Sequence, residues 1–189
     1  RKNMKQIPVL LLSLAVLAGG TANLACAGTS PGEVELGKFS DLSKGNKYVE
    51  INVRGTLLAL AARLVDKQQP EAAKLLRSVQ LVRVYVVGLT EDNRGETEKR
   101  IIGITAQLEK SGWDRVVTVQ EKDNANVGVF VKARGEESLE GVVVTVLDGN
   151  KQEAVVVNVV GDIKQEQLAA LGEAMNIEPL KKAGGSIKK

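Results

Sequence analysis

Histidine is absent from this 189-residue chain, and cysteine occurs once. The first absence removes the commonest general base and the commonest metal ligand together. The second leaves nothing to build a disulfide scaffold. Aromatic residues amount to 3% of the chain, five side chains in all, which is little material for stacking sugars. Neither G-x-G-x-x-G nor G-x-x-x-x-G-K-[ST] occurs, so no phosphate-cradling loop is signalled. Nineteen glycines and four prolines without a period are not collagen-like, and a 43% hydrophobic content argues against disorder. The length suits one domain with a real core.

The first stretch reads as a targeting signal. Arg1, Lys2 and Lys5 precede an apolar run from Ile7 to Ala18, followed by the small-residue region GGTANLACAG. An apolar run of about 7–15 residues fits a secretory signal, whereas a spanning helix needs about 20. Ala25-Cys26-Ala27 fits an A-x-A cleavage site, so residues 1–27 are expected to be removed and the protein exported, to the periplasm or another extracytoplasmic space. Cys26 offers a minority alternative as a lipid-bearing cysteine. The residues before it, Asn23, Leu24 and Ala25, put leucine one place too close for a good lipobox. Membrane association is expected only if Cys26 is lipidated. Without residues 1–27 the formal charge falls from +3 to zero, with 23 residues of each sign. A neutral chain without a long basic block predicts no nucleic-acid partner.

Residues 28–47 form a polar leader with only Val34, Leu36, Phe39 and Leu42 to bury, and read as a loosely ordered lead-in. Tyr48–Arg54 alternates as a half-buried strand. Gly55 breaks it, and Thr56 is placed to cap a helix carrying Leu57, Leu58, Leu60, Ala61, Leu64 and Val65 at helical spacing. Pro70 starts a short helix through Arg77. A strand over 81–89 precedes the turn EDNRG and a helix near 96–110, with Asn93 and Glu96 as capping box and Ser111-Gly112 as stop. Four strands follow, over about 115–120, 126–132, 141–147 and 154–160. Their short turn-rich connectors, Asp148-Gly149 among them, force antiparallel neighbours. Asp162 with Gln165 predicts a last helix bearing Ile163, Leu168, Leu171 and Met175. The domain is placed at 48–176 and a flexible basic tail at 177–189. Asn-Val-x-Gly occurs at Asn52–Gly55 and again at Asn158–Gly161, which reads as two strand-to-helix turns needing a glycine. The fold class is α+β: a mainly antiparallel sheet of about six strands, sandwich-like, with helices on one face.

Alternation sorts the strands into two faces. One is wholly aliphatic, from Val49, Ile51 and Val53 through Val159, and is expected under the helices. The other mixes Tyr48, Arg83, Tyr85, Phe130 and Lys132 with apolar positions such as Val87 and Val143. Aromatics and arginine among polar groups are enriched in protein-binding surfaces, so these five residues are the candidate partner-binding face, for a protein partner or for self-association. A cover of helices or leader is the competing reading of the same pattern. No catalytic residue, metal ligand or cofactor is expected. The acidic cluster Glu136, Glu137 and Glu140 reads as a solvated hairpin connection, and Asp148-Gly149-Asn150 as a turn, since it lacks the spaced oxygens of a calcium loop.

The runs YVEINVRGTLLALAARLV, LLRSVQLVRVYVVGL and the closing VVNVVGDI resemble the bacterial domain-of-unknown-function 4252 family, over about Tyr48 to Asn176. The resemblance implies a small exported or lipid-anchored domain with no established activity. It also implies a link to envelope signalling, because members are often encoded near extracytoplasmic-function sigma factors. The functional expectation is a non-enzymatic extracytoplasmic interaction module. The alternative is a carboxylate-based hydrolase of the cell envelope, because a carboxylate pair need not be close in the chain.

Overall fold

The computed structural model describes residues 30–120, 125–164 and Gln167. The signal segment with Cys26, the expected helix beyond Gln167 and the tail at 177–189 lie outside the described residues. Six strands, β1 (Tyr48–Arg54), β2 (Val79–Gly88), β3 (Asp114–Gln120), β4 (Ala125–Arg134), β5 (Ser138–Asp148) and β6 (Glu153–Lys164), form one sheet in the order β1-β2-β6-β5-β4-β3. All neighbours are antiparallel. The helices are α1 (Gly55–Val65), α2 (Pro70–Ser78) and α3 (Glu91–Lys110), with a single 3₁₀ turn at Ser40–Leu42. The α+β class and the antiparallel sheet expected from sequence are therefore observed.

The order follows from connector length. From β3 to β6 the turns are short, so the chain can only run as an antiparallel meander. At the β5–β6 turn, Asp148 Oδ1 accepts the backbone N–H groups of Asn150 and Lys151, at 3.0 and 2.9 Å. That is turn chemistry, as the sequence predicted. Between β2 and β3 the 20-residue α3 carries the chain to the far edge, and the meander then returns to lay β6 against β2.

Several boundaries differ from the sequence reading, each for a local reason. EDNRG is the first turn of α3. Asn93 Oδ1 accepts the Thr90 N–H at 2.8 Å while its Nδ2 donates to the Gly88 carbonyl, so the cap sits three residues earlier than predicted. Gly55 opens α1 directly after Arg54, and no side chain caps that helix, Thr56 included. β6 runs on through Asp162 and Ile163 to Lys164, because Leu139 and Ser138 of β5 continue the ladder beside them. A helix beginning at Asp162 is thus excluded.

The helices divide between the two faces instead of gathering on one. Leu58 of α1 and Leu75 of α2 pack on the aliphatic side with Val129, Val142, Val144, Val157 and Val159. On the opposite side α3 lays down Ile101, Ile104 and Leu108, which recur at helical spacing. Both sheet faces carry enough apolar surface to need a cover.

Candidate functional site

Of the five residues predicted as an open binding face, Tyr48, Tyr85 and Phe130 are brought together in one core cluster, while Arg83 and Lys132 are half-buried with other partners. Phe130 is 0% exposed and Tyr85 is buried, while Tyr48 is half-buried against the same cluster. The leader supplies much of the lid. Val34, Leu36, Phe39 and Leu42 are all buried there, so this segment is part of the core and not a loose lead-in. Phe39 stacks on Tyr85 with ring centroids 5.1 Å apart. With Trp113 at the end of α3, all five aromatics of the chain gather in this one cluster.

The two cations of the predicted face also have internal duties. Arg83 pairs with Glu33 of the leader and donates to the Val34 carbonyl at 3.5 Å. Lys132 Nζ donates to the Ser111 and Gly112 carbonyls at 2.8 and 3.0 Å, closing the C-terminus of α3. Burial is the first reason that the phenols of Tyr48 and Tyr85 are held above their ordinary value. The Glu50 carboxylate is the next, accepting the Tyr48 hydroxyl at 2.6 Å. These are the features of a packed interior with a polar seam, in which the rings of Tyr85 and Phe130 are core.

The leader is pinned by one buried amide. Asn158 of β6 is 0% exposed. Its Oδ1 accepts the Val34 N–H at 3.2 Å, and its Nδ2 donates to the Gly32 carbonyl at 3.0 Å. Beside it the backbones of Gly32 and Gly141 touch so closely that a Cβ on Gly32 would collide with the Glu140 carbonyl. The Asn-Val-x-Gly echo thus has no common role. Asn52 is exposed on the edge strand, whereas Asn158 is the clasp.

Apart from Ile102 of α3 and Val116 of β3, the exposed large apolar side chains among the described residues belong to α1 and β1. Leu57, Leu60 and Leu64 of α1 are 59%, 54% and 76% exposed, and Val49 and Ile51 of β1 are 38% and 44% exposed. Leu58 and Ala62 turn inward, and the three leucines recur at i, i+3 and i+7 as a separate stripe. α1 lies over β1 and β2, and α2 over β2 and β6. Asp66, just past α1, pairs with Arg77 of α2 at 2.8 Å. α2 therefore packs beside α1, and the leucine stripe is turned away from the side of α1 that Leu58 and Ala62 bury. The sequence reading grouped these leucines with Leu58, Ala61 and Val65 at helical spacing, without separating an exposed stripe from the buried one. The missed signal was width: apolar residues at 57, 58, 60, 61, 64 and 65 span more of the helix than one sheet can cover.

A second feature is an open groove of about 550 Å³ between the leader and α3, lined by Glu35, Gly37, Glu96, Lys99, Arg100 and Ile104 among others. Both carboxylates there are engaged. Glu96 pairs with Lys44 at 3.5 Å, and Glu35 accepts the Gly37 N–H at 3.3 Å. Glu140 pairs with Arg134 across its hairpin at 3.3 Å. Among the described residues no group of three or more acidic or thiol side chains is placed to hold a metal ion, and no helix is long and apolar enough to cross a membrane.

No curated protein and no solved structure matches the chain. The family model described as "Domain of unknown function (DUF4252)" matches residues 42–171, all of the β1–β6 domain and well over half of the sequence, and the chain belongs to that family.

Proposed function

We propose that this chain is a non-enzymatic interaction module that works outside the cytoplasm, in the cell envelope, and that its contact surface is the apolar flank formed by α1 and β1. The observation that carries the reading is the leucine stripe. Leu57, Leu60 and Leu64, with Val49 and Ile51, expose several hundred Å² of apolar side chain, the scale at which patches on single chains serve as contact sites. The basic residues and apolar run before Ala18 support an extracytoplasmic site of action.

The test is affinity capture from envelope extract with the exported protein as bait, set against a Leu60→Glu bait of equal stability. A defined envelope protein retained by the parent and lost with Leu60→Glu is the expected result. Equal capture by both baits would show that the contact lies elsewhere. Turnover of an envelope polysaccharide or peptide by the purified protein would replace the reading with an enzymatic one.

A further inference from the structure

We infer that the α1–β1 flank is closed by a second copy of this chain, β1 pairing with β1 antiparallel about a two-fold axis at Ile51. The inference rests on the interaction-module reading and names its partner.

The two edges of the sheet are built differently. β3, the far edge, carries a register shift between Arg115 and Val117 that spoils it as a template. β1 has no such device. All seven of its residues pair with β2 in unbroken register, from Tyr48↔Val87 to Arg54↔Leu81. It contains neither proline nor lysine, and among the described residues no backbone bond reaches its outer side. An edge this regular, flanked by exposed apolar side chains, is what strand addition uses.

The order of YVEINVR lets all seven residues pair with a second copy in one register. Centred on Ile51, all seven residues find partners: Ile51 meets Ile51, Val49 meets Val53, Glu50 meets Asn52 and Tyr48 meets Arg54. Glu50 then lies diagonal to the second copy's Arg54, within reach of a long side chain. A shift that centres Glu50 would set like charges face to face, and one that centres Asn52 leaves Tyr48 and Val49 without strand partners. The favoured register also brings the start of the second copy's α1 opposite Lys47, since that helix follows Arg54 directly. Such a contact is isologous and closes on itself as a dimer.

Sedimentation equilibrium of the full chain, as exported and processed by its expression host, tests this. The expected result is a reversible dimer. Ile51→Lys sets two cations at the axis and should raise the dissociation constant at least about tenfold. Glu50→Arg should weaken the dimer several-fold, and Glu50→Arg with Arg54→Glu should restore it. That rescue requires Glu50 and Arg54 to meet between chains, so it remains decisive if Ile51→Lys disturbs folding. A monomer up to hundreds of micromolar would overturn the inference. So would a dimer dispersed by Leu60→Glu but indifferent to both β1 changes, which would mean helix packing alone. Binding of the monomer to anionic phospholipid vesicles, lost with Ile51→Lys, would assign the flank to a membrane. A monomer that still captures an envelope protein through Leu60 would sink self-association and leave the interaction-module reading standing.

Discussion

Replacing Asn158 by leucine isolates the contribution of one buried amide to the fold. Its carboxamide is fully buried and makes two hydrogen bonds to the leader, to the Val34 N–H and from Nδ2 to the Gly32 carbonyl. Each bond contributes about 0.5–1.5 kcal/mol net, but the loss on substitution is larger, because the Val34 N–H would be left buried and unsatisfied at about 1–3 kcal/mol. Leucine has the same branched four-atom side-chain skeleton as asparagine and is the bulkier of the two, so no cavity forms. The expected cost is about 2–4 kcal/mol, a large share of the roughly 5–15 kcal/mol available to a domain. Urea unfolding followed by Trp113 fluorescence and by far-ultraviolet circular dichroism gives the total. Amide exchange at Val34 gives the local effect, which should approach that of an unprotected amide if the leader lifts away. A variant within 1 kcal/mol of the parent, or one whose Val34 amide stays protected, would refute the claim that Asn158 clasps the leader.

Phe130→Ala and Tyr85→Ala should each cost about 3–5 kcal/mol in the same urea assay, because both rings are core, and neither should act selectively on partner binding. Gly32→Ala should destabilise the domain by more than an ordinary surface change, read as a lowered urea midpoint, because its Cβ meets the Glu140 backbone. Lys132→Met should cost about 0.5–1 kcal/mol by thermal unfolding, through loss of the cation at the last carbonyls of α3. Tyr48 and Tyr85 hold their protons more tightly folded than unfolded, so their contribution is complete below the ordinary phenol value of about 10 and lost as pH rises above it. Stability measured against pH should accordingly fall less steeply above pH ~10 in Tyr48→Phe/Tyr85→Phe than in the parent.

Strand positions were legible because β-structure repeats every two residues, and a run such as VRVYVV has no helical reading. The β3–β6 meander was legible for the same reason, aided by turn residues at Asp148-Gly149. Element ends were less so. The cap at Asn93 depends on a carbonyl at Gly88 and an N–H at Thr90 that no pattern of side chains announces. The leader was misjudged because four apolar residues in twenty look too few to fold. They are buried by what they meet, since Val34, Leu36, Phe39 and Leu42 join a cluster with Tyr85 of β2, Phe130 of β4, Trp113 of the α3–β3 connection and the isoleucines of α3. Burial is a property of both partners, and a sparse segment can be core when its receptor is rich.

The same asymmetry explains why the candidate site changed sides. Sequence composition made the mixed face look like a binding surface, since aromatics and arginine are what interfaces enrich. Those residues are equally what an internal seam needs when a polar segment must be laid across a sheet. Tyr48 gives an apolar body to the cluster and a polar end to Glu50, and Arg83 reaches the leader through Glu33. The aliphatic face looked like pure core because it has no polar atoms to satisfy. Yet among the described residues Val49 and Ile51 of that face stay exposed, as do Leu57, Leu60 and Leu64 of α1. Leucine exposed on a helix cannot be told from leucine buried on one by its neighbours in sequence. It is told by the width of the apolar arc against the width of the surface that receives it, and here the arc is the wider of the two.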